Sequence, residues 1–113
     1  MHEASIARQI LAMVLQQAEV AGATRVLAIH GRVAEDERLA AASIEVMFRG
    51  FARATVAQDA TLHMQMRRVP AQCTGCSMVY EPEHHLLLCP ACGSSRGTLL
   101  EPVGITIETL EVE

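Results

Sequence analysis

The chain has 113 residues, half of them hydrophobic, a formal net charge of −4 and nine basic residues, all arginine. That length supports one modest core and a small satellite rather than two ordinary domains. The negative balance argues against a non-specific nucleic-acid binder, and the lack of any apolar run near ~20 residues argues against a membrane span.

From Ser5 to Ala21 the apolar positions Ile6, Ile10, Met13, Val14 and Val20 recur with helical spacing, and Gly22 supplies a terminator, so a first helix is predicted. Arg25 to Val33 predicts a strand, with Leu27, Ile29 and Val33 on one face and Val26, Ala28 and His30 on the other. The acidic run Glu35, Asp36 and Glu37 suits the positive end of a helix dipole and predicts the opening of a second helix. Its stripe is Ile44, Met47, Phe48 and Phe51, running past Gly50 to about Arg53. Leu62, Met64 and Met66 then alternate with His63, Gln65 and Arg67, a half-buried strand that ends before Pro70. The methionines Met13, Met47, Met64 and Met66 read as flexible core filling.

The segment from Gly104 to Glu113 is strand-like with a slip of phase. Ile105 and Ile107 share one face and Leu110 and Val112 the other, so a bulge or twist is expected near Glu108 and Thr109. Two helices need a sheet to cover, and the last strand must pair back with the first two. The expected fold is therefore α+β: two helices on a three-stranded mixed sheet, with a small β-rich, zinc-ribbon-like insertion. Residues 1–70 with 102–113 form one expected domain and 71–101 the inserted one, with Pro70 and Pro102 at the entrances.

The insertion carries two Cys-x-x-Cys pairs, Cys73 with Cys76 and Cys89 with Cys92. Each pair can place two sulfurs on one side of a tetrahedral ion, and the short loop between them lets both converge on it. In the second pair Pro90 pre-sets the turn, and Gly93 permits a positive φ that helps aim N–H groups at sulfur. Structural disulfides lack a secretory segment to support them, and a redox Cys-x-x-Cys has no need of a second pair. Zinc is favoured, although spacing alone does not exclude a rubredoxin-like iron centre. Four sulfurs close the coordination shell, which argues against a hydrolytic zinc enzyme. An insertion this short has no adequate core of its own, so the ion is read as structural.

The N-terminus, Met1-His2-Glu3, is the other unusual feature. His2 and Glu3 stand where a signal peptide would have a basic start, so a soluble, cytoplasmic protein is expected. A free amine on Met1, the backbone nitrogen of His2 and the His2 imidazole can occupy three corners of a square plane, which suits Ni(II) or Cu(II). The Glu3 amide or an outside donor would fill the fourth. On chemistry alone, a histidine at position two is more often a frayed, solvated terminus. His84 and His85, between the cysteine pairs, read as more often solvated than liganding, with joining a metal or sensing pH as the open alternative, and His30 and His63 read as structural or surface residues.

The initial MHEASIA, the strand and helix pattern, the knuckle CPACG and the closing ITIETLEVE together resemble the HypA family of hydrogenase nickel-incorporation proteins, over essentially the whole chain. The resemblance implies a metallochaperone, not an enzyme. It implies a nickel-binding α/β domain with His2 as the essential Ni(II) ligand beside Met1 and Glu3. It also implies zinc on Cys73, Cys76, Cys89 and Cys92. The implied partners are a HypB-like GTPase, the [NiFe]-hydrogenase large subunit and, in some bacteria, the urease system. Where the family commonly has Gly-Glu-Leu, this chain has Gly31-Arg32-Val33, reversing a charge, and residues 33–42 match poorly. A zinc-ribbon adaptor without a transported metal is the alternative.

Overall fold

The computed structural model describes residues 2–113. Helix α1 spans Glu3–Val20 and buries Ile6, Ala7, Ile10, Val14 and Ala18, a stripe along one side. It begins two residues earlier than the periodicity indicated, because His2 already has the extended backbone of an N-cap and Glu3 favours the first turn. Val20, assigned to the stripe, is instead exposed in the last turn. Gly22 ends the helix at φ +64°, where the Gly22 and Ala23 N–H groups return to the carbonyls of Glu19 and Ala18.

Strand β1 covers Val26–Glu35 and runs through Gly31 instead of stopping near Val33. Val26, Ile29 and Val33 all reach the core, whereas Leu27 is only half-buried, so the strict alternation expected at the start of this strand fails. Helix α2 spans Ala41–Phe51, much shorter than the acidic run implied. Glu35 is the last residue of β1, and Asp36 and Glu37 follow in a bend rather than in a first helical turn. The carboxylate at the start of α2 comes from elsewhere: Glu3 accepts the N–H of the N-cap residue Ala40 at 3.3 Å. Ile44 and Phe48 are buried and Phe51 partly so, while Met47, expected on the stripe, is exposed.

Strand β2, Thr61–Arg68, shows the expected alternation, with Leu62, Met64 and Met66 turned to the core. Strands β3 (Ala71–Cys73), β4 (Val79–Tyr80) and β5 (Gly97–Leu99) follow, and β6 closes the chain at Gly104–Val112. The larger sheet has the order β2-β1-β6. Leu27 meets Thr61, and three residues on His30 stacks on His63, so β1 and β2 rise together in parallel. Thr24 and Arg25 pair with Glu113, and Arg32 faces Glu108, so β6 runs antiparallel. This is the mixed three-stranded sheet under two helices that the periodicities required. In β6, Ile105, Ile107 and Leu110 all pack on the core, and Glu108 and Thr109 are both exposed, which places the slip where the sequence indicated. Val112 is exposed and does not join them.

Gly31 is needed in the central strand. A Cβ there would lie 2.2 Å from the Thr106 carbonyl oxygen and 2.9 Å from Met64 Cε, so neither neighbouring strand leaves space for a side chain.

The chain divides into two compact units. One comprises the described residues up to Val33, with Leu39–Met66 and Ile105–Glu113; the other comprises Ala34–Arg38 and Arg67–Gly104. The second has its own antiparallel sheet, in the order β4-β3-β5, with Ala71 opposite both Tyr80 and Leu99. Its core is small: Ala71, Cys73, Tyr80 and Cys89, with Leu87 and Leu99 beside them. Gly97 makes that packing possible, since a Cβ there would fall 2.3 Å from Tyr80 Oη.

Candidate metal centre

Cys73 ends β3, and the chain then turns back toward β4. The Ser77 N–H bonds the Cys73 carbonyl at 3.0 Å, with Ser77 at φ +67°. The second pair repeats the turn: Gly93, at φ +74°, donates its N–H to the Cys89 carbonyl at 2.9 Å. In each case the residue after the second cysteine takes the left-handed conformation, and glycine adopts it without strain whereas Ser77 does not. The N–H groups of Gly75 and Cys76 point at Cys73 Sγ, at 3.4 and 3.5 Å. The positive φ therefore closes the turn through a carbonyl, and residues inside the loop supply the donors to sulfur.

The two turns converge. Cys73 Sγ lies 3.6 Å from Cys92 Sγ, and Cys76 Sγ lies 3.5 Å from Cys89 Sγ. A disulfide has its sulfurs at about 2.0 Å, so these contacts are not disulfides. Bonds of about 2.3 Å from zinc to sulfur place tetrahedral thiolates about 3.8 Å apart, close to the separations observed. All four sulfurs lie within 4.8 Å of one another. Cys73 and Cys89 are buried, and Cys76 and Cys92 sit on the outer side.

The electrostatics favour thiolate on the buried members. The Cys76 N–H draws the Cys73 thiol down to about 6 against an opposing burial effect, with the Gly75 N–H assisting. The Cys92 and Ala91 N–H groups lower Cys89 in the same way, again against burial. Cys76 is pushed up to about 11: the Met78 N–H favours its thiolate, but the neighbouring sulfurs, led by Cys89, and burial outweigh it. Four sulfurs this close cannot all carry charge without a cation among them, and a divalent ion supplies that charge. Burial and then the thiolate charges also raise the Tyr80 phenol beside them. The donor set fits a closed four-sulfur metal site.

At the other candidate site, Met1 lies outside the described residues. His2 is exposed, with φ −92° and ψ 165°, and its carbonyl accepts the Ile6 N–H at 3.1 Å as the first helical bond. Its own N–H precedes the helix and has no part in the i to i−4 ladder. Glu3 directs its carboxylate to Ala40, and its own backbone N–H followed by that of Ala40 holds its pKa below the ordinary value.

The structure gathers a further set whose partners the sequence does not indicate. His85, more often solvated than liganding by its place in the loop, sets Nδ1 2.6 Å from Asp36 Oδ1 and Nε2 2.5 Å from Glu37 Oε2. Glu35 Oε1 lies 3.8 Å from the same Nδ1. The acidic run and the paired histidines were both visible, but 49 positions separate Asp36 from His85 and no local pattern links them. Arg68 anchors the approach to this histidine, bonding Glu81 at 2.9 Å, the Pro82 carbonyl at 2.5 Å and Glu83 at 3.1 Å. His30 and His63 are a stacked surface pair, with ring centroids 4.7 Å apart.

A family model described as "Hydrogenase/urease nickel incorporation, metallochaperone, hypA" matches residues 1–112. Hydrogenase maturation factor HybF of Klebsiella pneumoniae is 32% identical over 113 residues, covering all of both chains. Hydrogenase maturation factor HypA of Klebsiella pneumoniae strain 342 is 28% identical over 114 residues, again covering both chains fully. In fold, the chain is similar to the solution structure of the Ni metallochaperone HypA from Helicobacter pylori. The TM-score is 0.63 at 22% identity, over 99% of this chain and 97% of that one.

Proposed function

The chain belongs to the HypA family, whose members are hydrogenase maturation factors and nickel metallochaperones, and from that premise we propose that it captures Ni(II) at its N-terminus and delivers it to a nickel enzyme under assembly. The single observation that carries this reading is the family match over residues 1–112, which takes in Met1-His2-Glu3. The Met1 amine, the His2 backbone nitrogen and the His2 imidazole form a chelate suited to square-planar Ni(II). Because the His2 N–H lies ahead of the helical ladder, its loss to a metal breaks no helix hydrogen bond. The Glu3 carboxylate adds negative charge at a helix start that would otherwise repel a cation.

Zn(II) on Cys73, Cys76, Cys89 and Cys92 is the structural ion in this proposal. It holds the 71–101 domain, while residues 1–70 and 102–113 form the domain that carries the cargo. The closed sulfur shell leaves zinc no open position, so the protein acts as a carrier and not as a catalyst. The recipient is the [NiFe]-hydrogenase large subunit, reached with a HypB-like GTPase in the cytoplasm, and urease maturation proteins are a second destination. No helix of the described residues is long and apolar enough to cross a membrane.

The decisive measurement is a nickel titration of tag-free protein with its zinc content determined. His2→Ala, or one residue added before Met1, is expected to abolish tight nickel binding and leave one zinc per chain. Unchanged nickel affinity in either variant overturns the proposal and leaves a zinc-ribbon adaptor. Affinity is also expected to fall toward acid pH, since the amine and imidazole must shed protons to ligate.

A further inference from the structure

We propose that His30 and His63, with Glu111 beside them, form a further site for a first-row divalent cation, on the face of the larger sheet that the helices leave uncovered. Each of the three directly follows a core-facing residue: Ile29, Leu62 and Leu110 all pack in the core. Side chains alternate along a strand, so the next residue in each projects outward. The sheet order β2-β1-β6 then sets them in one row, His63, His30 and Glu111, all within the same compact unit.

The sheet fixes their spacing. Adjacent strands lie about 4.8 Å apart, and the two imidazole rings are stacked with centroids 4.7 Å apart and 15° between their planes. Bonds of about 2.0–2.1 Å from zinc to imidazole nitrogen hold two such donors about 3.3 Å apart. Tilting the rings toward one another at one edge closes that gap with the strands in place. Glu111 Oε1 stands 3.8 Å from His30 Nε2, beyond hydrogen-bond reach. The Glu111 side chain is 65% exposed, so it has room to swing onto an ion held at that nitrogen.

The surroundings favour a cation. The three residues line a cleft of about 690 Å³ whose walls also include Glu45, Gln65 and Glu108. Arg32 offsets Glu108 at 3.6 Å, which leaves Glu45 and Glu111 to make the cleft negative. Two imidazoles and a carboxylate suit zinc, nickel or copper. Unlike the four cysteines, they fill only three corners of a tetrahedron, and the fourth is left to water or to a donor from another molecule. An ion held there stays open to ligand exchange.

The row is separate from the other two metal sites. The cysteines belong to the other compact unit. His2 caps α1, whose buried stripe shares the core with Ile29 and Val33 on the inward face of the sheet, and His30 projects from the opposite face. Glu35, at the far end of β1, is about 16 Å further along at 3.3 Å per residue. The proposal does not depend on nickel capture.

The test uses full-length protein already holding one zinc, with Zn(II) as probe, because zinc accepts a tetrahedral nitrogen and oxygen set and fits the square-planar N-terminal chelate poorly. Titration is expected to show one further, saturable zinc per chain, whose uptake moves the ring-nitrogen resonances of His30 and His63 together. His30→Gln and His63→Gln are each expected to weaken it more than tenfold, and Glu111→Gln by about tenfold. In His2→Ala the second zinc should bind as in the parent. No saturable second zinc overturns the proposal, as does one that leaves both rings unmoved. Unchanged affinity in folded, one-zinc His63→Gln overturns it too. Loss of the second zinc in His2→Ala does the same, since the ion would then belong to the N-terminal chelate. Failure of nickel capture with the second zinc intact would remove only the N-terminal reading.

Discussion

The two compact units reach order by different means. The α/β unit buries Ile6, Ile10, Val14, Val26, Ile29, Val33, Ile44 and Phe48 in one cluster, and each such side chain contributes about 1.5–3 kcal/mol relative to exposure. The core cluster of the cysteine unit is Ala71, Cys73, Tyr80 and Cys89, of which two are metal-ligand types, and Val69 and Pro82 are the other large apolar side chains it fully buries. It leaves Met78, Val79, Leu86, Leu88 and Leu100 exposed. Apolar burial is enough for the first unit. In the second, charge and coordination must take its place, which is why donor N–H groups aimed at sulfur matter there and have no counterpart in the helices.

Removal of zinc should separate the units most strongly. A strong chelator, or Cys89→Ser, withdraws on the order of 10 kcal/mol from the cysteine unit. Amide signals from residues 71–101 should collapse while the helical circular dichroism of α1 and α2 persists. Loss of both in one transition would mean that the units are not energetically separate.

Ile44→Ala is the converse perturbation and should cost about 2–5 kcal/mol. Denaturant unfolding followed by helical signal should move to lower midpoint, with zinc still one per chain. Gly97→Ala should cost about 1–3 kcal/mol, because the new methyl meets the Tyr80 hydroxyl. Its sign is a weaker hold on zinc in chelator competition, with the helical midpoint unmoved.

Glu3→Gln is the smallest effect and stays inside the α/β unit. Its carboxylate caps α2 through Ala40, and the loss should be about 0.5–1 kcal/mol near neutral pH. Since the folded pKa of Glu3 lies below its ordinary value, the contribution is present above that ordinary value and lost as pH falls through the folded one. Parent and variant should therefore converge in stability in acid. A constant difference across pH would show that the cap is not electrostatic.

Much of the α/β unit was legible because its signals are short-range. Ile6, Ile10 and Val14 lie on one side of any helix that contains them, and Leu62, Met64 and Met66 lie on one face of any strand. The slip at Glu108 and Thr109 was legible for the same reason. Misreadings arose where a local rule had a distant competitor. Glu35, Asp36 and Glu37 satisfy the rule for a helix start, yet β1 extends into them and His85 holds them, while Glu3 supplies the carboxylate that α2 uses.

The cysteine spacing by itself determined that four sulfurs meet, since two short turns on one short loop have few other ways to close. Periodicity likewise determined two helices, a sheet and the residues that face their shared core. Only the tertiary structure decided which charged groups meet. Hydrophobic pattern repeats along the chain and can be read from neighbours, whereas an ion pair such as Asp36 with His85 depends on positions 49 apart being brought within 2.6 Å.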